Sequence, residues 1–146
     1  MGLIDDAGPG PIAVDTAPFI YLIEEHPRYL TPILPLFEAA AAGGMSLVTS
    51  AVTLLEVLVA PYRAGDTRLA DRYAALLTRS RGVTMIEISI DQLRAAARLR
   101  AARAMRTPDA LQVAAALTAG CPTLVTNDRR LPNLPGLRVL QVSDYC

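Results

Sequence analysis

The chain has no tryptophan and no lysine, one histidine and two cysteines, and aromatic residues make up only 5% of its 146 positions. Each shortage excludes something. Two Phe and five Tyr argue against a row of stacking rings for single-stranded nucleic acid and imply an aliphatic, Ala-rich core. Cys121 and Cys146 cannot build a disulfide scaffold or a cysteine-only metal site. With His26 the sole histidine, a zinc site of His and Cys is not expected. Any cation here would be held by carboxylate oxygen, which favours Mg²⁺ or Mn²⁺. What is abundant is apolar: 52% hydrophobic against 19% charged residues excludes a disordered chain. The length fits one domain, residues 1–146, and is too short for separate cofactor and substrate domains.

A formal net charge of zero hides an asymmetry. Residues 1–60 carry seven acids and one Arg, whereas residues 61–146 carry seven acids and thirteen Arg. Such a chain can hold both a carboxylate site and a face for a polyanion; an uneven surface is the plainer reading. The uncharged stretches Ala39–Leu55 and Ala110–Asn127 are interrupted by Gly43-Gly44 and Gly120-Cys121-Pro122. Each reads as helix, turn and strand rather than a membrane span. Residues 1–11 contain Asp5 and Asp6 and no basic, then apolar, signal pattern. They read as a loose start, and the expected location is the cytoplasm.

Short apolar strands are predicted at 12–14, 45–49, 83–88, 123–126 and 137–142. Helices are predicted at 17–24, 31–42, from a Thr49 or Ser50 cap to Tyr62, 68–79, from a Ser89 or Asp91 cap to Met105, and from a Thr107 cap to Ala119. This alternation predicts an α/β fold: a mostly parallel sheet of about five strands with helices on both faces.

In such sheets ligands bind at the carboxyl ends of the strands. Asp15 ends the first strand and Asp128 follows the fourth, so both point to one edge. Glu56 sits in the apolar run Val52-Thr53-Leu54-Leu55-Glu56-Val57-Leu58-Val59. A carboxylate in a buried helix must be paired with Arg, protonated, or turned to a metal pocket. Asp109 opens a helix, where an acid earns roughly 0.3–1 kcal/mol from the dipole alone. Together the four can converge, and clustered carboxylates repel unless a cation joins them. Two divalent ions about 3.5–4 Å apart can hold the attacking and leaving oxygens of a phosphodiester displacement.

Four strings carry a family resemblance: Val14-Asp15-Thr16, Thr49-Ser50-Ala51-Val52-Thr53-Leu54-Leu55-Glu56, Arg106-Thr107-Pro108-Asp109-Ala110-Leu111 and Val125-Thr126-Asn127-Asp128. In that order and spacing the chain resembles PIN-domain proteins of the VapC-like ribonuclease type, from about Ile12 to Val142. The resemblance implies a three-layer α/β/α fold. It implies that Asp15, Glu56, Asp109 and Asp128 are the catalytic acids and ligands of Mg²⁺ or Mn²⁺, with Thr16 and Thr126 orienting them. It implies RNA cleavage, an antitoxin partner and a homodimer. Ala17 departs from the Ser or Asn often found there. Gln112 stands where the family frequently has His and reads as a helix-surface residue.

A metal-activated water would remove the need for a His or Lys base. Arg129 and Arg130, directly after Asp128, are placed for substrate phosphate. Arg94, Arg98, Arg100, Arg103 and Arg106 could serve phosphate, an acidic partner tail, or solvent. His26 reads as a surface turn residue. Two alternatives are weighed. A carboxylate–Mg²⁺ phosphatase would need a second acid at Ala17. An inactive PIN module would bind RNA or a protein without cutting.

Overall fold

The computed structural model describes residues 1–146. Five strands, β1 (Ile12–Val14), β2 (Leu47–Ser50), β3 (Val83–Ile86), β4 (Thr123–Thr126) and β5 (Arg138–Gln141), form one sheet in the order β3-β2-β1-β4-β5. Every pairing is parallel. Seven helices cover it: α1 (Leu3–Ala7), α2 (Thr16–Ile23), α3 (Leu30–Ala41), α4 (Val52–Ala64), α5 (Thr67–Arg79), α6 (Ile90–Ala102) and α7 (Thr107–Thr118). A 3₁₀ turn, Val142–Tyr145, ends the chain. None of these helices is long and apolar enough to cross a membrane.

Strand periodicity divides the interior. Ile12, Val14, Leu47 and Val125 face a core shared with α1, α2, α3 and α5, including Phe19, Leu36 and Leu77. Ala13, Val48 and Leu124 face the opposite core, built with α6 and α7 and plugged by Met105 and Leu131. This is the three-layer α/β/α arrangement expected from the sequence. Helix α4 straddles both sides, with Val52 in one core and Val57 in the other.

Several boundaries differ from the sequence reading. The loose start is not observed: Leu3 and Ala7, four apart and so on one face, are buried and seat α1 on the core. Helix α6 stops at Ala102 rather than Met105. Met105 must enter the core, and Arg100 Nε closes the extended connection by donating to the Met105 carbonyl at 3.0 Å. Arg106, not Thr107, is the N-cap of α7, which places Asp109 at the third helical position. The Thr107 hydroxyl instead accepts from Arg100 at 2.9 Å. Gly82 turns the chain into β3 with φ +79°, and a Cβ there would lie 2.6 Å from the Ala40 carbonyl oxygen.

Candidate active site

The sheet order reverses between β1 and β4, which places a crevice at the carboxyl ends of these two strands. Asp15 ends β1 and caps α2, accepting the Thr16 amide on Oδ1 at 2.8 Å. Its Oδ2 accepts the Thr126 hydroxyl at 2.7 Å, from the end of the neighbouring strand. The Thr126 oxygen in turn accepts the Asp128 amide at 3.0 Å. One buried hydroxyl thus sets two acids from two strands. Burial pushes the Asp15 carboxyl above its ordinary value. The Thr126 and Thr16 hydrogen bonds pull it back, and Asp109 and Glu56 add repulsion.

Glu56 comes from α4 and accepts the Thr16 hydroxyl on Oε1 at 2.6 Å. Behind it runs a buried polar chain. Gln112 Nε2 donates to Thr53 Oγ1 at 2.7 Å, and the Thr53 hydroxyl lies 3.2 Å from Thr16 Oγ1. Thr53 also lies 2.7 Å from Thr49 Oγ1, and Gln112 Oε1 accepts the Ser50 amide at 3.1 Å. One consistent relay of hydrogen bonds runs from Gln112 through Thr53 and Thr16 to Glu56, which accepts the last. Gln112 is therefore not a surface residue, being 2% exposed. Its amide fixes the start of α4 against α7. The sequence held the signal: Thr49, Thr53 and Gln112 are polar residues in apolar runs, the same reasoning that singles out Glu56.

Asp109 is buried at the start of α7, and Asp128 is partly exposed. Arg106 lies between them, its Nε 3.1 Å from Asp109 Oδ2 and its Nη2 3.3 Å from Asp128 Oδ2. Arg130 grips Asp128 with two parallel bonds, Nε to Oδ1 at 3.0 Å and Nη2 to Oδ2 at 2.9 Å. The Arg130 hydrogen bond, more than any other cause, holds the Asp128 carboxyl below its ordinary value. Arg129 pairs with Asp144 and donates to Ser143 Oγ at 2.7 Å.

All of Asp15, Glu56, Asp109 and Asp128 line one open cavity of about 410 Å³. Thr16, Arg129 and Arg130 line it too. Of the predicted site residues only Thr126 lies behind the wall, where it acts through Asp15. Arg106 also lines it, as do Tyr21 and Asn127, which the sequence did not single out. The donors are all hard oxygens, the set that suits Mg²⁺ or Mn²⁺. As they stand, no group of three or more acids is arranged to hold a metal ion, and Asp109 and Asp128 pair with guanidinium groups.

The sequence profile of the PIN domain matches residues 12–137, and the chain belongs to the PIN domain family. No curated protein sequence gives a significant match. Among solved structures, it is similar to VapBC2 from Rickettsia felis bound to a promoter DNA fragment. That match has 18% identity and TM-score 0.65 and covers 89% of this chain and 97% of that one. A toxin–antitoxin complex from Klebsiella pneumoniae gives 22% identity and TM-score 0.64 over 86% of this chain and 94% of that one. The Mycobacterium tuberculosis toxin VapC20, described as cleaving the sarcin-ricin loop, gives 21% identity and TM-score 0.62 over 77% of this chain and 86% of that one. At these identities the likeness shows a shared fold.

Proposed function

We propose that this chain is a Mg²⁺- or Mn²⁺-dependent endoribonuclease, the toxin of a type II toxin–antitoxin pair acting in the cytoplasm. The observation that carries this is the convergence of Asp15, Glu56, Asp109 and Asp128 on one open cavity at the switch point of the sheet. Mg²⁺ keeps several waters and needs only one or two direct carboxylates, so this donor set fits it. Asp15, Asp109 and Asp128 would hold the cation, directly or through water. When bound, it supplies Lewis acidity that makes water nucleophilic near neutral pH and offsets phosphate charge.

The rest falls to the side chains. Glu56, fixed by Thr16, orients the attacking water. Thr126 fixes Asp15. Arg129 and Arg130 offer charge to flanking phosphates by exchanging their present carboxylate partners. The cavity lining contains no His or Lys, so proton transfer rests on water and carboxylate.

An antitoxin partner is assigned on the family and on solved relatives that are toxin–antitoxin complexes. An apolar groove beside the site, lined by Ile20, Val57, Pro61 and Leu69 with Glu24 and Asp66, offers it a seat. A homodimer is assigned on α4, where Leu55, Val59 and Tyr62 share one face and are 64%, 39% and 66% exposed.

The test is cleavage of a mixed RNA pool with Mg²⁺ or Mn²⁺ and then EDTA, for wild type and Asp15→Asn. Cutting that EDTA and the variant both abolish is the expected result. Cutting that persists in EDTA would overturn the metal role. The pairing of Arg106 and Arg130 with the acids favours a second reading, an inactive module that binds RNA or protein. A Mn²⁺ titration separates the two: the inactive module leaves Mn²⁺ unbound.

A further inference from the structure

The chain's few rings are not scattered. Tyr21, on α2, is the single aromatic side chain lining the carboxylate cavity. It packs against Tyr29 with centroids 4.9 Å apart and against His26 at 5.0 Å. His26 stacks on Tyr29 at 4.6 Å with an interplanar angle of 20°. The His26 ring is fixed in turn, its Nδ1 accepting the Arg28 and Tyr29 amides, each at 3.1 Å. His26 is therefore half-buried and structural, not a free turn residue. The Arg28 guanidinium lies over the Tyr29 ring at 5.5 Å.

The hydroxyl end of Tyr21 is also held. It accepts from Asn127 Nδ2 at 3.1 Å, and Asn127 Oδ1 accepts the Ser143 amide at 3.0 Å. Asn127 is the neighbour of Asp128, so the ring is tied to the same loop that carries one of the acids. The other aromatics are committed elsewhere. Phe19, Phe37 and Tyr73 are buried, Tyr62 lies on the outer face of α4, and Tyr145 bonds Asp6.

We propose that Tyr21, backed by Tyr29 and His26, is a nucleobase subsite that stacks one base beside the scissile phosphate and so selects where the chain cuts. A ring already immobilised by packing and by Asn127 loses little freedom on binding, which is what a stacking contact requires. Every base has a π-face, so the contact rewards any base over none and larger rings over smaller. Arg28 adds positive charge over the Tyr29 ring at the back of the cluster. This rests on the ribonuclease reading.

The test starts with wild type and Mn²⁺, which map the cut in a short single-stranded RNA. Two further RNAs are made, each lacking only the base on one side of that cut. Single-turnover cleavage then gives the half-saturating enzyme concentration for wild type, Tyr21→Leu and Tyr21→Phe. Tyr21→Leu should raise it about tenfold for intact RNA and leave it unchanged for one of the two abasic RNAs. Tyr21→Phe, which keeps the ring but loses the Asn127 hydrogen bond, should raise it less than Tyr21→Leu does and with the same dependence on the base. An equal rise on all RNAs marks a merely structural role and overturns the subsite, as does no rise at all, and both leave the ribonuclease standing. Absence of any cut by wild type removes the ribonuclease reading and the subsite together.

Discussion

Thr126 donates its hydroxyl to Asp15 Oδ2 at 2.7 Å across two parallel strands, and this bond partly offsets the rise that burial imposes on the Asp15 carboxyl. Thr126→Val should therefore move the Asp15 titration further upward. The acid limb of the activity profile should shift to higher pH, with kcat at its plateau changed less than the midpoint. A pH–rate series on both proteins checks it.

The same raised carboxyl has a stability consequence. A group whose folded value exceeds its unfolded one, near 3.8, helps the fold below that value. That help is lost as pH rises through the folded value. Asp15→Asn, which cannot ionise, should match or exceed wild-type Tm at pH 7, and its advantage should vanish in acid below about pH 3.8. Thermal melts at both pH values decide it.

Arg106 sits between Asp109 and Asp128, two of the acids proposed to hold the cation. Arg106→Ala should tighten Mn²⁺ binding by about 2–5-fold, the equivalent of the ~0.5–1 kcal/mol that a half-exposed ion pair contributes. Unchanged or weaker affinity in a calorimetric titration would show that Arg106 orders the acids rather than competing for them.

Gln112 satisfies Thr53 and the Ser50 amide inside the protein. Gln112→Ala leaves both without that partner and should cost about 1–3 kcal/mol in urea unfolding. Gln112→Glu, which keeps the size but replaces the donating amide, should also slow cleavage by releasing Thr53 and hence the Thr16–Glu56 bond.

Gly82 needs its missing side chain twice, for φ +79° and for the approach to Ala40. Gly82→Ala should lower stability by about 1–3 kcal/mol, read as a fall in Tm with cleavage at low temperature retained.

Much of this was legible beforehand. The parallel order and the shared edge of Asp15 and Asp128 follow from apolar strands alternating with helices, and the PIN family from four short strings. Less legible was whatever depends on pairs distant in the chain. Gln112 reads as a helix-surface residue when α7 is taken alone, whereas β2 and α4 close over it. Leu3 and Ala7 looked loose because a five-residue segment shows its apolar face only once α3 lies beneath it. Helix α4 looked buried all round, yet Leu55 and Tyr62 emerge because it runs along the rim between the two cores. Arg129 and Arg130 gave no hint that each already holds a carboxylate.

The bond between Asp15 and Thr126 joins residues 111 apart in the chain. During synthesis the first half emerges with Asp15 and Glu56, but β1 has an open flank until β4 arrives beside it. The later acids, Asp109 and Asp128, are made within that same closing stretch. A fragment that ends before β4 therefore carries no assembled carboxylate cavity, and the cleavage proposed for that cavity would have to wait until nearly the last strand is in place.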